Sequence, residues 1–198
     1  IPVWCSGIYY NPSVGVPADQ SDIIITADST SLTEDGLISM DGEVLIERPG
    51  RRLITQSALL DQSSGKFEAS NHLRLETDQF TFTADGMSGQ TRRREASLNN
   101  VRYSLFGPGA RGTAEHLDLV ENFTTIEQGT YTTCAPGSNG WELRGRQIRL
   151  DREEGWGEAR DVTLRVKGMP LPWLPWITFP NDPAPYQPST TPTLPHLY

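Results

Sequence analysis

The sequence is poor in the residues that usually announce chemistry. Its 198 residues include two cysteines, Cys5 and Cys134, and three histidines, His72, His116 and His196. Two cysteines are too few for a disulfide-dense scaffold and do not settle the compartment. Neither has a His or Lys beside it to depress the thiol pKa, which argues against a catalytic thiol. The histidines stand apart, with no HxxxH, HxE or Cys–His spacing that would hold a metal. Gly-x-Ser-x-Gly, P-loop and dinucleotide patterns are missing as well. Glu153, Glu154 and Asp161 read as solvated carboxylates and not as a glycosidase pair. The expectation is a non-enzyme with no metal and no cofactor.

Basic charge is scarce too: 17 Lys and Arg face 25 Asp and Glu, for a net charge of −8. Neutralising phosphates along a nucleic acid needs a basic face, so no nucleic-acid partner is expected. No apolar run nears the roughly 18 residues of a membrane-spanning helix. Ile1 opens on ordinary polar sequence with no signal peptide, as in a mature processed chain or a fragment.

What is present is alternation. Short runs with an apolar residue at every second position include Ile23–Ile25–Ala27, Val44–Ile46, Leu73–Leu75, Phe80–Phe82–Ala84 and Val101–Tyr103–Leu105. Leu117–Leu119, Trp141–Leu143, Ile148–Leu150 and Val162–Leu164–Val166 continue the pattern. A period of two puts these side chains on one face of a sheet and the intervening Glu, Arg, Thr and Asp on the other. The runs also repeat. Gly42, Asn71, Asn100 and Gly129 follow one another at equal steps of 29 residues, with a looser fifth copy at Arg160-Asp161-Val162-Thr163. Glycine and asparagine tolerate positive φ, so each copy reads as a bend or bulge feeding a new strand. Ala27, Gln56, Asp85 and Ala114 share the same step and are expected to start the other strand of each unit. The fold class predicted is therefore all-β: one domain, a solenoid-like stack of two-stranded units with extended ends.

The ends differ from the middle. Residues 1–21 read as an extended lead-in and 22–167 as the β domain. Residues 168–182, which open on Gly168-Met169-Pro170-Leu171-Pro172-Trp173, read as a Pro/Trp-rich connector, and 183–198 as a linker or tail. Most of the 15 prolines lie beyond residue 167, and such a density forbids a central strand.

Stacked units of this kind present two apolar faces to each other. Closed, they form an ordinary sandwich core; open along one side, they form a trough. A trough suits a lipid, because each CH₂ left in water costs about 0.8 kcal/mol and a 12-carbon chain roughly 10 kcal/mol. Ile25, Val44, Ile46, Leu73, Leu75, Phe82, Val101, Tyr103, Leu119 and Leu143 are the expected lining. Ile23, Ile24 and Ile25 are too apolar to be left bare and read as an edge strand that a partner sheet extends. Arg51-Arg52, Arg92-Arg93-Arg94 and Arg144/Arg146/Arg149 could pair with sugar phosphates at a groove rim, or be solvated loop residues. A Cys5–Cys134 disulfide would close a loop of about 130 residues and contribute roughly 4–5 kcal/mol; two unpaired thiols are the alternative.

The run Tyr131-Thr132-Thr133-Cys134-Ala135-Pro136-Gly137-Ser138, followed by Trp141, Ile148 and Asp151-Arg152-Glu153-Glu154, resembles the periplasmic domain of the outer-membrane lipopolysaccharide-assembly family. Met169-Pro170-Leu171-Pro172 and Trp173–Pro180 look like the stretch that leads that family into its membrane barrel. The Gly/Asn repeat is similar to the wider family of periplasmic lipopolysaccharide-transport β-jellyrolls, so the resemblance spans roughly residues 20–180. It implies an open, twisted, V-shaped β-jellyroll on the periplasmic side of the Gram-negative outer membrane. Such a domain takes lipopolysaccharide, through its lipid A, from a bridge of similar jellyroll modules and passes it to its own C-terminal barrel, which a lipoprotein plugs. The resemblance further implies that Cys5 and Cys134 match domain cysteines that pair with cysteines of the barrel. This chain departs from the family pattern in having no barrel. Three rival readings remain at this point. One is a free-standing bridge module, another a carbohydrate-binding jellyroll using Trp141, Trp156, Trp173 and Trp176. The third is a right-handed β-solenoid enzyme, for which only Asn71 and Asn100 hint at the required ladder.

Overall fold

A computed structural model describes residues 23–106, 109–138, 140–151 and 153–180. The lead-in 1–21 and the tail 183–198 lie outside the described residues. Thirteen strands follow in chain order: β1 (Ile24–Thr26), β2 (Ser29–Leu32), β3 (Leu37–Arg48), β4 (Arg51–Asp61), β5 (Lys66–Thr77), β6 (Phe80–Gln90), β7 (Glu95–Leu105), β8 (Ala110–Val120), β9 (Phe123–Tyr131), β10 (Trp141–Asp151), β11 (Trp156–Val166), β12 (Met169–Pro170) and β13 (Leu174–Pro180). They form one antiparallel sheet in which β3 to β11 pair in sequence order. β1 and β2 both pair with β3, and β12 and β13 both pair with β11. Among the described residues there is no helix, so the expected all-β open fold is what the chain adopts.

The long strands are each interrupted once, near the middle. Positive φ occurs at Gly42 and Glu43, Asn71 and His72, Asn100, Gln128 and Asp161, which are the repeat positions or their neighbours. The ladder slips there, between Asp41 and Val44 and between Ser70 and Leu73. The repeat thus marks mid-strand bulges, and Gln56, Asp85 and Ala114 sit inside strands instead of starting them. A turn and a bulge both call for residues that accept positive φ, so the repeat alone does not separate them.

Each slip also shifts the apolar phase. Buried positions in β7 run Leu98, then Val101 and Tyr103; in β9, Ile126, then Gly129 and Tyr131; in β11, Ala159, then Val162. A step of three where two is the rule would turn a straight strand's apolar residues to the wrong face. Here it keeps them on the same side of a bent one. In a straight strand, residues three apart lie about 10 Å from each other on opposite faces. Yet a Cβ placed on Gly129 would overlap Cγ2 of Ile126, and one on Gly145 would sit 3.1 Å from Cγ1 of Ile148. At these two bulges the inner side chain on one side therefore packs against the inner backbone position on the other, and the sheet doubles over along a crease. Gly129 is a glycine for want of room, since the positive φ belongs to Gln128.

The crease divides the sheet into two walls. The first holds residues 44–48, 51–55, 73–77, 80–84, 101–105, 110–114, 129–131, 141–145 and 162–166. The second holds 37–41, 57–61, 66–70, 86–90, 95–99, 116–120, 123–127, 147–151 and 156–160. Their inner faces form the core, with Val44, Leu73, Val101 and Val162 on one wall and Leu98, Leu117, Ile126 and Ile148 on the other, all fully buried. Polar groups at the crease are satisfied locally. The buried Thr55 hydroxyl donates to the Ser70 carbonyl at 2.7 Å, and Asn100 Nδ2 donates to Asp85 Oδ2 at 2.7 Å.

Candidate ligand groove

Burial falls from the crease outwards. On the first wall, fully buried Val44, Leu73 and Val101 give way to half-buried Ile46, Leu75 and Leu105. On the second wall, Met40, Ala69 and Leu117 give way to Ile38, Phe67 and Leu119 in the same manner. Two walls joined at a crease and exposed at their lips make a V. The structure brings all ten expected lining residues to its inner face. Val44, Leu73, Phe82, Val101, Tyr103 and Leu143 lie deep, and Ile46, Leu75 and Leu119 lie nearer the lips. Ile25 pairs with Ile46 at the open N-terminal end and is 48% exposed. Sequence reasoning left out most of the second wall, including Ile38, Phe67, Ala96, Leu98 and Ile126. The signal was there, in the three-residue step that carries the alternation across each bulge.

The two ends of the V are built differently. At the N-terminal end, β1 extends the first wall and β2 the second, and neither carries a further strand among the described residues. Ile23, Ile24, Ile25 and Leu32 are exposed there. The edge expected at Ile23–Ile25 thus has a counterpart at Ser29–Leu32 that sequence reasoning missed. At the C-terminal end aromatic rings cross between the walls. Tyr131 of the first wall lies 5.8 Å from Phe179 of β13 and 6.1 Å from Trp141, ring centroid to centroid. β13 pairs with the second-wall part of β11, three strand spacings from β9, or about 14 Å in a flat sheet. Only the doubled-over sheet lets these rings meet. Burial pushes the Tyr131 phenol up to about 12. Tyr103 is driven higher in the same direction, first by burial and then by Tyr131. Its hydroxyl donates to the Thr130 carbonyl at 2.6 Å, and its ring lies over Gly112, where a Cβ would come 2.6 Å from the Tyr103 oxygen.

The stretch read as a connector contains β13, an edge strand, which is where a sheet admits proline. Cys134 is fully buried; its sulfur accepts from the Trp141 N–H at 3.3 Å, and it is disulfide-bonded. Cys5 lies outside the described residues. Trp156, Trp173 and Trp176 are exposed, whereas Trp141 is half-buried against Tyr131, so the four tryptophans do not share one face.

The outer faces carry most of the charge, and several of their charges are paired. Arg52 meets Glu47 at 2.7 Å and Glu76 at 3.9 Å, and Arg74 meets Glu76 at 2.7 Å, in a chain across β3, β4 and β5. Arg146 pairs with Asp161 at 2.7 Å, Arg144 pairs with Glu142, and Arg149 lies 4.0 Å over the Phe123 ring. Arg92, Arg93 and Arg94 stand exposed in the β6–β7 turn. Among the described residues no three His, Cys, Asp or Glu side chains converge as a metal site would require. What the arrangement offers is a continuous apolar inner face between two walls whose outer sides carry the charge, a surface of the kind that keeps alkyl chains out of water.

A single sheet doubled into an apolar-lined V defines a class of β domain, and comparison with known proteins specifies the class. The family model described as "Lipopolysaccharide-assembly, LptC-related" matches residues 11–105. The LPS-assembly protein LptD of Alcanivorax borkumensis is 62% identical over 182 residues, which is 92% of this chain and 24% of that protein. The LptD proteins of Shewanella oneidensis and Pseudomonas syringae pv. syringae are 33% and 31% identical over 164 and 186 residues, covering 82% and 90% of this chain. Among solved structures, LptH, the LptA-homologous periplasmic component of the lipopolysaccharide transport device of Pseudomonas aeruginosa, matches 71% of this chain and 82% of its own at 13% identity and a TM-score of 0.30. The chain belongs to the LPS-assembly protein LptD family, as one β domain of it. It spans about a fifth to a quarter of the length of the curated relatives it matches.

Proposed function

We propose that this domain is a non-enzymatic carrier on the periplasmic side of the outer membrane. It receives lipopolysaccharide from a bridge of similar β-modules and passes the acyl chains along the V towards the barrel of the full protein and its plug lipoprotein. The observation that carries this reading is the continuous inner ladder, buried at the crease and half-exposed at the lips along both walls. The ends support this direction: among the described residues β1 and β2 carry no further strand, which suits strand addition by an upstream module, and the other end leads into the Pro/Trp-rich stretch. Deep positions such as Phe82 and Val101 are reached only when the walls part, so the lipid wedges the V open from its lips.

Site-specific photocrosslinking tests the reading. Crosslinkers at Leu75 and Leu119, on the inner face of each wall near the lip, are expected to capture lipopolysaccharide. Crosslinkers at their outward neighbours Arg74 and Asp118 are not. Equal capture at all four positions would reject the inner face as the binding surface.

A further inference from the structure

The inner ladder is apolar on nearly every rung, but it ends in charge at one place. On β3 the inner positions run Val44, Ile46, Arg48, and on β4 they run Thr55, Leu53, Arg51. Arg48 and Arg51 are partners in the ladder, facing each other across the Pro49-Gly50 turn. The equivalent last inner residues elsewhere on the first wall are Thr77, Phe80, Leu105, Ala110, Trp141 and Val166, none of them charged. Like charges directly opposite each other destabilise a strand pair. One residue away on the outer face, Glu47 and Arg52 form an ion pair, so this hairpin can place opposite charges in register and does not do so inside. Arg48 makes no ion pair with a carboxylate among the described residues, and Asp78, at the next turn, is the nearby acid acting on Arg51. Partial burial first, and then the charge of Arg48, pulls the Arg51 guanidinium below its usual range, against the pull of Asp78. Among the described residues, two guanidiniums meet one carboxylate here, at the lip of the inner face and at the end where β1 lies.

We propose that Arg48 and Arg51 form a phosphate site on the lip of the groove, binding the phosphorylated sugar headgroup of an amphiphile whose acyl chains lie on the apolar rungs below. The assignment rests on the lipid-carrier reading. It adds to that reading a fixed orientation, with the headgroup at the first-wall lip near the entry end and the chains towards the crease. A phosphate bridging both side chains receives charge-assisted hydrogen bonds from two planar donors and removes their mutual repulsion.

The test measures binding of a bis-phosphorylated acyl disaccharide and of its dephosphorylated counterpart to the full 198-residue chain, with inorganic phosphate as competitor. The wild-type chain is expected to prefer the phosphorylated lipid by about tenfold or more. The double variant Arg48→Gln with Arg51→Gln loses that preference and keeps its affinity for the dephosphorylated lipid. Arg52→Gln, on the outer face of the same hairpin, keeps the preference. Retained discrimination in the double variant overturns the phosphate site and leaves the carrier reading standing; failure of the wild-type chain to bind either lipid overturns both. Displacement of the phosphorylated lipid by inorganic phosphate at comparable concentration would make this a general anion site and overturn the headgroup assignment. Retained affinity for the dephosphorylated lipid also shows that the variants are folded. Removing two repelling charges should leave their melting temperature unchanged or slightly raised.

Discussion

The two ends of the V share one ladder and differ in what covers it. At the N-terminal end Ile23 and Leu32 are 60% and 67% exposed, held by β1 and β2 strands of three and four residues. At the C-terminal end Tyr131, Trp141 and Phe179 close over the same kind of inner surface, and β13 adds seven residues of pairing to β11. An uncovered apolar edge gains free energy from any strand or chain that buries it, whereas a covered one has already gained it within the molecule. The exposed N-terminal end therefore keeps a standing affinity for a covering strand or chain, and the covered C-terminal end is one that a ligand moving along the V would have to open. The difference arises from a few rings and one edge strand, since the walls between the ends follow one repeat.

Substitutions that attack the covered end should have the largest effect. Gly112→Ala places a methyl against the Thr130 carbonyl oxygen and the Tyr103 ring, both fixed by neighbouring strands. The expected outcome is a chain that fails to fold or loses more than about 3 kcal/mol by urea titration. Next is a matched pair. Phe179→Ala should cost about 2 kcal/mol, because it removes a ring from the cluster, and Leu32→Ala at the bare end should stay within about 0.5 kcal/mol. Equal losses in denaturant midpoint would erase the contrast between the ends.

Alkaline titration sharpens the same point. Burial raises Tyr131 to about 12 in the folded chain and raises Tyr103 further, against about 10 when unfolded. A group whose folded pKa is raised contributes stability that is complete below the unfolded value and lost as pH climbs towards the folded one. Stability should thus be level up to about pH 10 and fall above it, by up to about 1.4 kcal/mol per pH unit for each tyrosine. Tyr131→Phe should flatten the slope measured between pH 10 and 12, and an unchanged slope would mean that the cluster is wet. The smallest effect on stability belongs to the bare end. Ile24→Lys puts a charge on an exposed edge strand and should leave the melting temperature unaltered while reducing capture of an upstream β-module in a pulldown. Undiminished capture would move the junction away from β1, with β2 the next edge to test.

Much of this was legible beforehand. The period of two named the inner residues of the first wall correctly, from Val44 to Leu143, because alternation depends only on local strand geometry. The 29-residue step located the crease for the same reason: positive φ is a property of single residues such as Asn71 and Asn100. The second wall was harder to see. Its residues are out of phase with the first, and only a bulge reconciles the two halves into one face. Gly129 shows the limit well, since its composition suggested backbone freedom and its environment shows a lack of space beside Ile126.

The sequence by itself determined the class of structure, the repeat, the apolar face and the absence of any recognisable catalytic pattern, because each follows from residue types at short range. Only the tertiary structure decided that the repeat bends strands instead of ending them, and that Cys134 is buried. It alone revealed that Tyr131 meets Phe179 across the fold and that Arg48 and Arg51 stand opposite each other at the end of the inner ladder. Those facts depend on the pairing register and on the doubling of the sheet. Both bring together residues far apart in the chain, and no local preference specifies that.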